Sequence, residues 1–354
     1  MDGKAAARAV DALRRGWPVR LTGPQGAMAL LAVESATDES LAAFDPAGSA
    51  PILIAGSRAA TLKLANQRDA AEPEQPVLIA RAPWLATPAE AMGLADPVSD
   101  LAIPFKGPFE ALPIASPDVA AAALDLARIA GILPAFFLGD ADVSVDAVVT
   151  LDELAAYSDA THLAIVARAR LPVDATVNSE IVAFRSPEDP REHVALIVGT
   201  RDSSPPVVRL HSECLTGDVL GSLKCDCGPQ LHQALHAIAD AQWGVLLYLR
   251  QEGRGIGLIN KLRAYELQDQ GFDTVDANTR LGFAIDARDF GVAAQMLALL
   301  GIRDVRLLTN NPQKVAGLES AGIRVVERLP LQLPANPHNE RYLATKRDRT
   351  GHQL

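Results

Sequence analysis

The chain has 354 residues, 49% of them hydrophobic and 21% charged, with a formal net charge of −10. That composition suits a globular protein with a sizeable core, and the length favours two domains. The acidic balance argues against a broad nucleic-acid-binding surface, so an anionic ligand would have to be met by a local cluster of Arg and Lys. No apolar run is long enough to span a membrane, and the first residues lack the apolar core of a signal peptide.

In chain order, Met1 to Arg8 reads as the first turns of a helix, and a second Ala-rich helix lies near Ala120. The stretch before about Thr161 is rich in Ala, Leu and Pro and has no Cys. A boundary near Ser158 to Leu163 is expected, giving domains over 1–160 and 161–354. Beyond it, Ile181 to Phe184 and Val194 to Val198 are strand-like, with the turn-rich Arg185 to Arg191 as a hairpin loop between them. Pro206 to Leu210 and Val245 to Leu249 read as strands, the latter followed by a Gly-rich turn and a helix from Leu258 to Gln270 stopped by Gly271. A helix is expected over Asp289 to Leu300, with Asp289 as N-cap and Gly301 as stop. A strand at Val305 to Leu308, a helix opened by Pro312 and a strand at Ile323 to Val326 complete the pattern. The tail after Pro334 is polar and expected to be loosely held. The fold class is therefore α+β or α/β, with two domains, each a mixed sheet packed with helices.

All three cysteines fall in one stretch, as Cys214, Cys225 and Cys227. Clustering without a disulfide-like spread favours a reducing cytoplasm and a metal. Three thiolates with the fourth position open to water are what a catalytic zinc needs, whereas a structural zinc usually recruits a fourth protein ligand. Buried, reduced thiols are the plainer alternative. Arg209 at a strand end suits a phosphate oxygen through its planar fork of donors, although alone it would more often be a surface ion-pair residue. Gln251 to Gly257 places glycines between a strand and a helix, where backbone amides suit phosphates. A dinucleotide fingerprint is disfavoured by the spacing of its third glycine. Thr309 to Lys314 repeats the order strand, polar turn, helix start, and Asp286 to Asp289 is a dense charged turn. His211-Ser212-Glu213 fits half of the zinc nucleobase deaminase signature, but Cys225-Asp226-Cys227 has the wrong spacing for the other half.

Taken together, from about Ala167 to Leu333, these runs resemble GTP cyclohydrolase II, a family of riboflavin biosynthesis. The resemblance rests on Arg209 to Gln230, Tyr248 to Gln270, Leu281 to Phe290, and Leu307 to Lys314. It implies a catalytic zinc, one per subunit, on Cys214, Cys225 and Cys227. It implies GTP contacts from Arg209, Leu210, His211, Ser212, Glu213, Gln230, Glu252, Gly253, Arg254, Thr274, Thr309 and Lys314. Asp286 would take the proton-acceptor role, Arg288 that of a nucleophile toward the α-phosphorus, and Tyr265 a part in complete ring opening. The implied reaction opens the guanine imidazole at its carbon 8. It releases formate and pyrophosphate, with magnesium on the triphosphate, and leaves a diaminopyrimidinone ribosylamino 5′-phosphate. A cytoplasmic homodimer without nucleic-acid or membrane partners is expected.

Ala5 to Val19, Leu31 to Ala43, Ala120 to Ala135 and Val149 to Tyr157 are similar to 3,4-dihydroxy-2-butanone-4-phosphate synthase. The acidic, magnesium-binding loop of that family is replaced by Leu21 to Leu30, which contains no carboxylate. Its His-Thr pair is replaced by small or apolar residues around Ile114 to Pro117. Without carboxylates a divalent ion has no hard anionic ligands there, so synthase activity is expected to be absent.

Overall fold

A computed structural model describes residues 3–140 and 142–353. The chain divides into two compact units, Met1–Ser158 with Ile256–Ala287, and Asp159–Gly255 with Arg288–Leu354. The segment Ile256–Ala287, which the sequence reading assigned to the second region, thus groups with the first.

The first unit holds seven strands: β1 (Val19–Gly23), β2 (Gly26–Ala32), β3 (Ile52–Ile54), β4 (Val77–Ile79), β5 (Ala111–Leu112), β6 (Ala135–Gly139) and β7 (Ala147–Thr150). They form one mixed sheet in the order β5-β4-β3-β6-β2-β1-β7, antiparallel except for the β1–β7 pair. Its two faces are buried by separate clusters, because side chains alternate across a strand. Leu31, Ile52, Ile54 and Phe137 pack on one side with Leu267 and Leu281. Leu30, Leu53 and Phe136 pack on the other, against the helices Lys4–Arg14 and Pro117–Ala130. The second of these is the expected Ala-rich helix: Pro117 opens it and Gly131, at φ 73°, ends it in the left-handed region that glycine tolerates.

The second unit contributes β8 (Ala164–Arg170), β9 (Ser179–Arg185), β10 (His193–Gly199), β11 (Val207–Ser212), β12 (Trp243–Leu249), β13 (Asp304–Leu308) and β14 (Arg324–Leu329). Their order is β14-β13-β11-β12-β10-β9-β8. The first four run parallel, and the rest continue antiparallel from β12. The β9–β10 pair is the expected hairpin. Between β11 and β12 the chain crosses by the helix Cys227–Asp240, and between β13 and β14 by the helix Pro312–Ser320. Both units are therefore mixed sheets packed with helices.

Two expectations need correction. Asp289 is not the N-cap: the helix is Gly291–Leu299 and Phe290 holds that position. Asp289 still accepts the Gly291 amide at 2.7 Å, so its carboxylate satisfies a free donor from one residue further out. The polar tail is not loosely held either. It folds into the helix Glu340–Thr350, ended by Gly351 in the left-handed region. Asn339 is buried before it, and after it the Gln353 amide donates to the Asn310 carbonyl at 2.9 Å.

Candidate active site

Three parallel strands bring their carboxyl ends to one edge of the second sheet, where ligands of open α/β sheets bind. Each strand end runs directly into one of the motifs: β11 into Glu213 and Cys214, β12 into Gln251 to Arg254, and β13 into Thr309 to Lys314. β11 lies between β12 and β13. Its alternation sends Val208 and Leu210 into one core and Val207 into the other. By the same period of two, Arg209 and His211 share the side of Val207, and both are buried.

Arg209 donates through Nη1 to the Leu308 carbonyl at 3.0 Å and through Nη2 to the Gln230 amide oxygen. Its Nε is buried without a hydrogen-bond partner. Burial lowers its pKa to about 10, which leaves the guanidinium charged at neutral pH. Gln230 in turn donates to Asp226 at 2.5 Å. His211 Nε2 lies 3.0 Å from both oxygens of Asp218, and its ring stacks on Tyr248 with centroids 5.6 Å apart. Burial lowers its pKa, against the opposing pull of Asp218. Asp218 also accepts the Cys214 amide at 3.0 Å and the Tyr248 hydroxyl at 2.9 Å. Sequence reasoning missed this carboxylate. The available signal was an acid four residues after the first cysteine in a short loop.

The cysteine ligand atoms all lie within 4.8 Å of one another, with Cys214 and Cys225 buried and Cys227 half-buried. The Cys214 and Cys225 sulfurs are 3.7 Å apart. Zinc–sulfur bonds of about 2.3 Å in a tetrahedral site require an edge of about 3.8 Å, so this donor set fits zinc. Gly217 supplies the floor, since a Cβ there would sit 2.8 Å from the Cys225 sulfur and 3.0 Å from that of Cys214. Hydrogen bonds among the thiols, and then burial, raise the pKa values of Cys225 and Cys227.

Glu252 is buried. It accepts the Leu215 amide at 2.7 Å and the Gly253 amide at 3.0 Å, which ties the cysteine loop to the glycine loop. Gly253 and Arg254 both adopt left-handed backbone, at φ 62° and 61°. For Arg254 that conformation is uncommon and costs roughly 1 kcal/mol or more. Glu213 pairs with Arg250 at 2.8 Å, and the Ser212 hydroxyl is buried without a partner. Thr309 is buried and accepts the Asn311 amide at 3.1 Å. Lys314 is buried rather than solvated, donating to the Leu210 carbonyl at 2.7 Å. Arg288 lies over the Phe290 ring at 5.5 Å.

Four cations act on His352. Its pKa falls to about 4, first through burial and then through Lys346, Arg254, Arg288 and Lys314. The same fields reach Arg209 from Arg288 and His211 from Lys314. In a protein of net charge −10, Arg209, Arg254 and Lys314 thus lie on or just beyond three adjacent parallel strands. Tyr265, Thr274 and Asp286 belong to the first unit. There Tyr265 has Lys261 at 5.6 Å from its ring, and the Thr274 hydroxyl accepts from Gln268 at 3.2 Å.

Residues 164–330 match the family model described as GTP cyclohydrolase II. The chain is 44% identical over 377 residues to "GTP cyclohydrolase-2" of Azospirillum brasilense, covering 99% of this chain and 95% of that protein. It is 57% identical over 177 residues to "Riboflavin biosynthesis protein RibBA" of Bacillus subtilis, covering 49% of this chain and 44% of that protein. The protein of the same name from Synechocystis is 46% identical over 254 residues, or 66% of this chain and 46% of that one. The chain thus spans about half the length of those two relatives. A solved structure, the two-domain 3,4-dihydroxy-2-butanone 4-phosphate synthase RibBX from A. baumannii, aligns over 94% of this chain and 100% of its own. Its identity is 16% and its TM-score 0.30, which carries no argument.

Proposed function

The chain belongs to the GTP cyclohydrolase II family of riboflavin biosynthesis, and from that premise we propose that it hydrolyses GTP to formate, pyrophosphate and the diaminopyrimidinone ribosylamino 5′-phosphate. The observation that carries this reading is a three-thiol cluster that begins directly after β11, with Arg209 on that strand and Arg254 and Lys314 following the neighbouring β12 and β13. A nucleoside triphosphate needs the cations, and opening a purine ring by hydrolysis calls for the thiols' metal.

Cys214, Cys225 and Cys227 would hold zinc. Bound there, the metal supplies a Lewis acid that brings the pKa of water to about 7. The remaining work falls to side chains. Arg209, Arg254 and Lys314 meet phosphate oxygens and neutralise charge, with magnesium accompanying the triphosphate. Leu210 serves through its carbonyl, which holds the Lys314 ammonium at 2.7 Å. His211, Ser212, Glu213, Gln230, Thr274 and Thr309 supply the further polar contacts to GTP. Glu252 and Gly253 keep the cysteine and glycine loops in register through the two amides that Glu252 accepts. Asp286 accepts a proton, Arg288 acts at the α-phosphorus, and Tyr265 assists ring opening. We place the enzyme in the cytoplasm as a homodimer.

The first unit is proposed to lack synthase activity. β1 and β2 are joined through Pro24 and Gln25, and Gly23 pairs with Gly26 across that turn. The Ser116 hydroxyl donates to the Gln25 carbonyl at 3.0 Å. This short turn offers no carboxylate to a divalent ion.

Removing one thiolate tests the reading. Cys225→Ser should abolish formate release and reduce bound zinc from one per chain towards none. Full turnover by that variant would sink the three-thiolate site.

A further inference from the structure

A buried polar path in the second unit starts in the C-terminal helix. Lys346 Nζ donates to Asp226 Oδ1 at 2.6 Å, and the two side chains are only 12% and 5% exposed. The other oxygen of Asp226 accepts from Gln230 Nε2 at 2.5 Å, and Gln230 Oε1 accepts from Arg209 Nη2. Each partner fixes the next. Arg209 has only donors, so the Gln230 oxygen must face it and the Gln230 amide nitrogen must face Asp226. Asp226 is buried, and a buried carboxylate with a single neutral donor is costly unless a cation pairs with it. Lys346 is that cation.

The helix is itself anchored over this spot. Lys346 lies 4.4 Å from the Tyr342 ring centroid, and burial raises the Tyr342 pKa to about 12. Beyond the helix, the His352 amide donates to the Lys346 carbonyl at 3.1 Å, and the Gln353 amide bonds to Asn310 on the β13 turn.

We infer that the C-terminal helix Glu340–Thr350 forms a wall of the nucleotide site, and that Lys346 positions Arg209 for phosphate through Asp226 and Gln230. This inference rests on the proposed function for the identity of the anion. Lys346 itself touches no reacting atom: it orients a binding residue and should act on KM rather than on kcat.

The test compares the full-length, zinc-loaded protein with Lys346→Met and Lys346→Arg. Losing one charge-assisted hydrogen bond should raise KM for GTP roughly tenfold in Lys346→Met while leaving kcat and zinc content unchanged. Lys346→Arg restores the cation and should restore KM. Without nucleotide, hydrogen exchange at the Gln230 amide, which donates to the Asp226 carbonyl at 3.0 Å, should accelerate in Lys346→Met and recover in Lys346→Arg. An unchanged KM in Lys346→Met, or a loss that Lys346→Arg does not rescue, overturns the relay. If the unaltered protein turns over no GTP, the proposed function fails and exchange alone decides: acceleration upholds the relay and no change overturns it.

Discussion

The two sheets have seven strands each, yet their buried cations are held differently. In the first unit Arg58 is met by a carboxylate. Buried Arg58 forks onto both oxygens of Asp100 at 2.5 and 2.8 Å, and Lys106 meets the same carboxylate at 2.6 Å. Arg263 likewise bridges Glu34 and Asp96, both at 3.1 Å. In the second unit two buried cations are held at least in part by backbone carbonyls or a neutral amide: Arg209 by Leu308 and Gln230, Lys314 by Leu210. Carbonyls and amides orient a cation without neutralising it, and Arg209 keeps its charge at neutral pH.

The comparison breaks first at Asp218, a carboxylate in the second unit that behaves as charges do in the first. It serves His211, Tyr248 and the Cys214 amide together. Asp218→Asn keeps the shape but removes the charge. We expect stability to fall by about 2 kcal/mol in urea titrations. The formate release rate should fall roughly 10- to 100-fold, as for other groups that orient metal ligands. A wild-type rate would make Asp218 merely structural.

Gly217 sharpens the contrast by a smaller step. A methyl group there meets two sulfurs at 3.0 Å or less, and sulfurs pinned by a metal cannot retreat. Gly217→Ala should weaken zinc retention roughly tenfold in a chelator competition. Equal retention would mean that the loop relaxes freely.

A pH titration addresses stability. Burial lowers the His193 pKa to about 4, and its Nδ1 accepts the Arg250 amide at 3.1 Å. The unfolded chain binds the extra proton below about 6.5. The contribution of His193 is therefore complete above that pH and lost progressively between about 6.5 and 4. His193→Gln should flatten this part of the stability profile. The smallest expected effect lies in the first unit: ribulose 5-phosphate with magnesium should give no butanone phosphate, and a measurable yield would overturn its inactivity.

The strands β10 and β12 of the second sheet were legible in sequence because they are largely continuous apolar runs that stop at glycine or polar turns. The helix after the glycine loop was expected over Leu258 to Gln270 and runs Gly257–Asp269. The helix Pro312–Ser320 begins at the residue that announced it. The sulfurs of the cysteine cluster came together as spacing suggested. The tail was misread because Glu340 to Thr350 is almost entirely polar, and polarity argues for loose ends. What holds it is an ion pair to Asp226 across 120 positions of sequence and Tyr342 packed beside the Lys346 ammonium, neither of which leaves a local pattern. Asp218 was hidden for the same reason, since its partners His211 and Tyr248 sit on two strands whose register is a tertiary fact.

The most direct test of the central claim is the product profile after zinc-loaded protein is incubated with GTP and magnesium. Formate, pyrophosphate and the diaminopyrimidinone ribosylamino phosphate in equal amounts are the predicted result. GTP that binds and is recovered intact would contradict it.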